Sequence, residues 1–267
     1  MIKNSINWLI KNSLNNECIV VNHRNKIPYP EVTGYLIPTL LEAGETQLAL
    51  NYASWLTKVQ NKDGSFSLDN PNNKYVFDTG QVIRGWTSII NRLPELEEPL
   101  FRACNWIINE ANSSTGAFMV PPNGREWSLG ERGEVSEGIH LYVVKPLLDA
   151  GIILNNNKVI DGAIKAKNYY IENVALTEFK QKNMLTHFYG YIQEALFELK
   201  EFELANLGMK SVEMFQEENG AVPGYYDVNW VCSTGLAQLA KVWYLQNNNS
   251  RNLLFVLNVF LQNTFCR

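Results

Sequence analysis

Apolar residues recur at intervals of three and four along almost all of the 267 residues. This spacing places them on one face of an α-helix, whereas the alternation typical of a half-buried strand is scarce. The pattern predicts an all-α fold of about eleven helices. Their predicted ranges are 2–15, 31–43, 46–60, 78–92, 95–111, 135–150, 158–173, 185–199, 201–217, 231–246 and 250–264.

Short links separate several of these helices. Gly44 and Gly151 each follow an apolar run, Pro94 precedes another, and Lys200 lies between two periodic segments. Glycine is common just after a helix and proline in the first turn of the next one. The links therefore predict helices joined in hairpins, and the asparagine tracts at 155–157 and 247–249 are predicted loops.

A glycine recurs near the start of five predicted helices, at intervals of 45 to 58 residues: Gly34, Gly80, Gly138, Gly190 and Gly235. Glycine inside a helix costs about 1 kcal/mol relative to alanine. We expect that these helices approach one another too closely to accommodate a Cβ atom. A period near 50 with two helices in each unit predicts an array of helical hairpins. We expect a closed ring of inner helices wrapped by outer ones, with an open solenoid as the alternative.

A second element, a polar residue followed by glycine and later an apolar residue, occurs three times: Asp63-Gly64-Ser65-Phe66, Thr115-Gly116-Ala117-Phe118 and Asn219-Gly220-Ala221-Val222. Together with Gln60, the first copy resembles the Gln-x-x-x-Gly-x-Trp/Phe repeat of the squalene-cyclase and prenyltransferase toroids. The wider group of α/α toroids includes sugar epimerases, unsaturated uronyl hydrolases and polysaccharide lyases. The resemblance implies one α/α toroid of about five to six hairpins over residues 1–267. It is architectural, because the sequence lacks the Asp-x-Asp-Asp motif of squalene cyclases.

Composition narrows the functional classes. The net charge is −4, which disfavours non-specific binding of nucleic acids. No run of about 18 apolar residues predicts a transmembrane segment. The first residues lack the order of a secretory signal, so we expect a cytoplasmic protein. The cysteines are widely spaced, and nucleotide-binding and nucleophile-elbow motifs are absent, so we expect reduced thiols, no metal and no cofactor.

Polar side chains surround the repeat glycines, where the inner helices of a ring would begin. We expect acid–base chemistry from the residues that can transfer a proton: Glu31, Asp78, Glu137, His187 and Tyr189. Predicted substrate-binding residues are Tyr35, Gln81, Arg84, Trp127, Arg132, His140, Glu194, Tyr225, Tyr226, Asp227 and Trp230. Carboxylates together with aromatic rings are typical of carbohydrate sites.

The leading hypothesis is a protein that acts on a saccharide or sugar conjugate as an epimerase, lyase or hydrolase. The alternatives are a non-catalytic binding or scaffold toroid for polysaccharide assembly, and an isoprenoid-handling protein similar to terpenoid cyclases. Individual residues also have structural interpretations. Asp78 is a good N-cap residue, and His140 suits a hydrogen-bonded core position. Arg84 lies inside an apolar helix and should pair with Glu31, Glu137 or Glu194.

Overall fold

The computed structural model of the chain describes residues 2–24, 26–68, 73–110, 114–118 and 136–246. The fold is all-α, as the hydrophobic periodicity predicts. Over these residues the helices are α1 (Ile2–Asn12), α2 (Pro30–Glu42), α3 (Thr46–Val59), α4 (Val76–Ile89), α5 (Glu97–Glu110), α6 (Leu141–Ile153), α7 (Asn157–Asn173), α8 (Thr186–Glu198), α9 (Phe202–Glu213) and α10 (Ser233–Leu245). The predicted helix 250–264 lies outside the described residues.

Short non-α elements account for most differences from the predicted bounds. Strands β1 (Ser13–Leu14) and β2 (Cys18–Ile19) form an antiparallel pair immediately after α1. Short 3-10 turns, Ile90–Arg92, Pro94–Leu96 and Glu137–His140, occupy segments that periodicity assigns to α-helix. Apolar spacing alone does not distinguish three residues per turn from 3.6 over so short a range.

The predicted link at Gly151 is wrong. Helix α6 continues through Gly151 to Ile153, and the chain turns at Asn155, which has a φ of 48°. The link at Lys200 is confirmed, because this residue adopts a φ of 63° between α8 and α9. Asn155 and Lys200 both occupy the left-handed region that usually favours glycine at a helix end.

The chain forms two compact units. The first comprises Met1–Pro121 and Pro146–Lys167, and the second comprises Pro122–Lys145 and Asn168–Arg267. None of the helices in the described residues is both long and apolar enough to cross a membrane. In that same part of the chain, Cys18, Cys104 and Cys232 are free thiols.

In the first unit, helices α2 and α4 pack together at glycine. A Cβ atom added to Gly34 would lie 2.7 Å from the Cα atom of Val82, and one added to Gly85 would lie 2.8 Å from Cδ1 of Ile37. Contacts therefore advance along both helices in the same direction, which makes the pair parallel. Helix α3 connects them and packs against both. The predicted close approach is confirmed at Gly34.

The second unit repeats this arrangement with α8, α9 and α10. A Cβ atom on Gly235 would lie 2.5 Å from the main-chain nitrogen of His187, and one on Gly190 would lie 2.7 Å from Cβ of Gln238. Helices α8 and α10 are therefore also parallel, and α9, which connects them, packs against α8. The close approach is confirmed at Gly190 and Gly235 too.

The glutamine–glycine element forms a local turn that the glutamine side chain stabilises. Gln60 Nε2 donates to the Gly64 carbonyl at 3.0 Å, and Gln216 Nε2 donates to the Gly220 carbonyl at 3.2 Å. Both glycines have positive φ values, 100° and 91°. The apolar residues that follow, Phe66 and Val222, are fully buried. The repeat therefore follows the end of a connecting helix, α3 or α9, turns the chain and anchors it in the core.

Candidate functional site

Two buried carboxylates lie in the first turns of the parallel helices α2 and α4. Pro30 begins α2, which places Glu31 second in that helix, and Asp78 is the third residue of α4. Glu31 is 8% exposed and Asp78 5% exposed. The predicted N-cap role of Asp78 is wrong, because Tyr75 holds the cap position. Helix capping therefore does not explain why the carboxylate of Asp78 is buried.

The two carboxylates interact electrostatically. Burial raises the pKa of Glu31 from 4.5 to about 7, and a hydrogen bond from Tyr29 acts against this rise. Burial also raises the pKa of Asp78 well above its usual value, and the charge of Glu31 raises it further. Two adjacent carboxyl groups in a poorly hydrated site cannot both ionise readily. The pair therefore retains a proton at pH values where surface carboxylates are ionised.

Two tyrosines flank the pair. Burial, together with the negative charge of Glu31, raises the pKa values of Tyr29 and Tyr35 above 10. Both rings remain partly exposed. Since the phenols stay protonated, they can donate hydrogen bonds while their rings offer a stacking surface.

Gln81 is the fifth polar member of this region. It lies one turn after Asp78 on α4, so the two side chains share a face of that helix. The residue is fully buried, and neither its amide nitrogen nor its amide oxygen has a hydrogen-bond partner among the described residues. Arg84, one turn further along, is partly buried. We refer to Tyr29, Glu31, Tyr35, Asp78 and Gln81 as the carboxylate cluster.

The second unit holds a separate polar cluster around Glu194 on α8. Lys241 of α10 forms an ion pair with this buried carboxylate, and Tyr142 donates to Glu194 Oε1 at 3.2 Å. The Tyr142 ring lies 4.8 Å from that of Tyr191 between centroids, and Tyr191 lies 4.6 Å from the ring of His187. The buried charge predicted at Glu194 is thus matched by Lys241. A lysine within the apolar stretch of α10 was the sequence signal for this partner, and the sequence analysis missed it.

The two predicted site histidines of the second unit differ in their surroundings. Nδ1 of His187 lies 2.6 Å from Oε1 of Gln238. An amide oxygen only accepts, so Nδ1 carries the proton and Nε2 of the neutral ring is an acceptor. Burial lowers the pKa of His187, and the bond to Gln238 opposes this change. Burial lowers the pKa of His140 to about 4, while a hydrogen bond to the main chain of Glu137 opposes the decrease.

Tyr189 belongs to the core of the second unit. Its side chain is fully buried, and its hydroxyl lies within hydrogen-bonding distance of the carbonyls of Gly208 (2.7 Å) and Thr177 (3.0 Å). Its ring packs edge-on against Phe179. These contacts complete the bonding of the hydroxyl within the unit. Glu137, the remaining predicted catalytic residue, is partly buried in the 3-10 turn before α6.

The loop before α10 carries the remaining predicted aromatic residues. Trp230 is 47% exposed, and its ring lies 5.7 Å from that of buried Tyr225. Tyr226 is partly buried and Asp227 is exposed. Trp127 and Arg132 lie outside the described residues. The loop therefore presents an exposed indole face, which suits stacking against a flat ligand surface.

The first unit also has an open surface cavity of about 530 Å³, lined by Asn15, Glu17, Asn51, Ser54 and Lys58. None of these residues was predicted for the site. Lys58 and Glu17 form a 2.6 Å ion pair there, and both side chains are well exposed. Exposed pairs of this kind contribute little free energy, and the cavity contains no buried titratable group.

Comparison with models of known protein families finds no match for this chain, and no curated protein has a significantly similar sequence. Function is therefore argued from the site itself. Within the described residues, no group of three or more His, Cys, Asp or Glu side chains is arranged to hold a metal ion.

Proposed function

We propose that this protein acts on a saccharide or sugar conjugate, with Glu31 and Asp78 as its acid–base pair. One observation carries the proposal: two buried, interacting carboxyl groups lie at the adjoining starts of two parallel helices. Burial of acidic groups destabilises a protein unless they are paired or protonated. Such an arrangement is common where a protein performs proton transfer.

The shared proton gives the pair both functions that glycan chemistry requires. A carboxyl group that is protonated near neutral pH can donate to a leaving or ring oxygen, and its ionised partner can accept a proton from a hydroxyl or a carbon. Epimerases, lyases and hydrolases all use this combination. Because the charge of Glu31 raises the pKa of Asp78 further, Asp78 is the member that keeps the shared proton, so we assign Asp78 the acid role and Glu31 the base role.

The surrounding side chains suit a sugar. Tyr29 and Tyr35 offer partly exposed rings and phenolic donors next to the carboxylates. The amide of Gln81 can both donate to and accept from hydroxyl groups. Stacking surfaces and bidirectional hydrogen-bonding groups are the complement of a pyranose, which has apolar faces and a polar edge.

The repeat supports a proposal for the fold as well, namely an α/α toroid of about five to six hairpins. Each unit contains two parallel helices that meet at glycine and are connected by a third helix. Each also contains the glutamine–glycine turn. An experimentally determined structure with an open arrangement of hairpins would contradict this proposal.

A thermal-shift screen of the full chain tests the function. Monosaccharides, uronic-acid oligosaccharides and sugar nucleotides are added to the unmodified protein and to Glu31→Gln and Asp78→Asn variants. A ligand present at about 100 times its Kd should add about 2.7 kcal/mol of stability. Glu42→Gln, an exposed position on the same helix, is the matched control. Stabilisation of the unmodified protein and the control, but not of the two site variants, is expected.

Two results would contradict the proposal. The first is that no saccharide in the panel stabilises the protein. The second is that a saccharide stabilises the unmodified protein, both site variants and the control equally. Turnover of any stabilising saccharide is then followed by NMR, where loss of turnover in both site variants is expected.

A further inference from the structure

The carboxylate cluster holds two buried acidic groups that form no ion pair. Neither Glu31 nor Asp78 belongs to any ion pair formed among the described residues. Within that part of the chain, a side-chain hydrogen bond to Glu31 comes from Tyr29. By contrast, Glu194 in the second unit is as deeply buried but is neutralised by Lys241. The carboxylate pair of the first unit, which has no such lysine among the described residues, can therefore bind a positively charged ligand.

Gln81 is an independent indication of a ligand. A buried amide that makes no hydrogen bond destabilises the folded protein, because nothing compensates for its loss of hydration. Gln81 leaves both its donor and its acceptor unsatisfied, although it is fully buried on the same face of α4 as Asp78. By contrast, the hydroxyl groups of Thr33 on α2 and Thr79 on α4 have complete hydrogen bonds. Each hydroxyl donates to the carbonyl four residues earlier and accepts a main-chain N–H, that of Ile19 or Phe66.

We infer that this site takes a ligand with a primary ammonium group, and that the saccharide is an amino sugar. This inference rests on the proposed function for the sugar, but its ammonium part stands on the cluster alone. A primary ammonium has three N–H donors. Glu31, Asp78 and the amide oxygen of Gln81 supply three acceptors, two of them anionic. The rings of Tyr29 and Tyr35 add favourable cation–π surfaces at the edge.

An ammonium group also accounts for the protonation behaviour of the pair. Without a ligand, the carboxyl pair retains a proton near neutral pH. A bound cation favours the ionised form of both carboxylates and lowers their pKa values. Binding must therefore release a proton to the solvent. This release is a property of the binding step, so it can be measured without any knowledge of the reaction.

Isothermal titration calorimetry provides the test. The full chain is titrated at about pH 6.5, where amines remain protonated, with D-glucosamine, N-acetyl-D-glucosamine, D-glucose and methylammonium chloride at constant ionic strength. We expect glucosamine to bind at least about tenfold more tightly than the two neutral sugars. Repeating the titration in two buffers of different ionisation enthalpy should show proton release for glucosamine only among the sugars.

Variants identify the acceptors. Glu31→Gln and Asp78→Asn should each remove the preference for glucosamine and the proton release, whereas Glu42→Gln should keep both. Gln81→Met fills a similar volume without the amide and should weaken glucosamine binding more than glucose binding, because the ammonium group loses an acceptor. Circular dichroism of each variant ensures that a folded protein is compared.

The outcomes separate the two proposals. Equal affinity for glucosamine, N-acetylglucosamine and glucose would overturn the ammonium inference and leave the saccharide proposal intact. Binding of methylammonium with proton release, but of no sugar, would support the ammonium site and count against the saccharide function. Absence of binding by both ammonium compounds up to about 50 mM would overturn the inference.

Discussion

Buried polar residues in this protein differ in whether their hydrogen bonds are complete. Tyr189 and Thr79 satisfy their hydroxyl groups with main-chain partners. Within the described part of the chain, the Gln81 amide has no hydrogen-bond partner, and Glu31 and Asp78 form no ion pair. Complete bonding is what a purely structural role produces, because an unsatisfied buried group lowers stability. Among the described residues, Gln193 and Gln246 each leave one buried amide atom without a partner, whereas Gln81 leaves both, beside two buried carboxyl groups. We therefore assign function to the carboxylate cluster.

Tyr189 provides a prediction at this scale. Tyr189→Phe should lower the free energy of unfolding by about 1–3 kcal/mol, because the carbonyls of Thr177 and Gly208 lose a buried donor. Urea unfolding monitored by fluorescence measures this loss. Tyr244→Phe, at a position that is 68% exposed, should change stability by less than about 0.5 kcal/mol.

Saccharide binding by the folded Tyr189→Phe protein should remain unchanged. Lost binding at unchanged stability would instead return Tyr189 to the catalytic role that its sequence position suggested. Its position directly before a repeat glycine, where Thr33 and Thr79 stand in other repeats, is the basis of that suggestion. In the structure, Thr33 and Thr79 lie inside their helices, where they connect a preceding segment to the helix.

At the scale of helices, the glycine repeat was the most informative part of the sequence. It identified where helices meet, because only a missing Cβ allows the main chains of α2 and α4 to approach so closely. The partners in each pair were not predictable from the sequence. Periodicity specifies the buried face of a helix but not the helix that covers it. The pairing of α8 with α10 depends on contacts such as Gly235 with His187, which are distant in sequence.

The sequence alone could identify candidate residues of the site but not the surroundings of their side chains. A polar residue near a repeat glycine was enough to propose Glu31, Asp78 and Gln81. Their environments were not predictable, since burial and charge depend on the packed neighbour. Glu31 and Glu194 both lie within four residues of a repeat glycine, yet among the described residues a lysine pairs with Glu194 and not with Glu31.

Substitution of Gly34 tests the helix contact. Gly34→Ala should destabilise the protein by about 2 kcal/mol or more, although alanine favours a helix by about 1 kcal/mol. The added methyl group would lie 2.7 Å from Cα of Val82 and 2.8 Å from the carbonyl oxygen of Gln81, neither of which can rotate away. Chemical unfolding measures the loss.

Gly44 is the control for the loss of a glycine. It has a φ of 83°, and a Cβ there would meet nothing within 4 Å. Gly44→Ala should therefore cost only about 1–2 kcal/mol of backbone strain. A Gly34→Ala protein as stable as the unmodified chain would show that α2 and α4 can separate without cost.

At the scale of the whole molecule, two sets of buried titratable groups make stability depend on pH in opposite directions. The carboxyl pair has raised pKa values, with Glu31 at about 7, so the folded state holds protons that the unfolded chain releases. Its contribution to stability falls as the pH rises from about 4.5 to 7. His140 and His187 have lowered pKa values, so the unfolded chain binds protons that the folded state excludes. Their contribution falls as the pH decreases from about 6.5 to 4.

These opposing slopes should partly offset each other below about pH 6.5 in the unmodified protein and separate in variants. In a Glu31→Gln, Asp78→Asn double variant, the free energy of unfolding relative to the unmodified protein should increase by about 3 kcal/mol as the pH rises from about 4.5 to 7.5. The same variant should lose stability more steeply than the unmodified chain on acidification, because only the histidine contribution remains. Urea unfolding at half-unit pH intervals measures both curves, and Glu42→Gln should follow the unmodified chain. Parallel curves for the double variant and the unmodified protein would show that the folded carboxyl pair holds no extra proton, and the acid–base assignment would then fail with it.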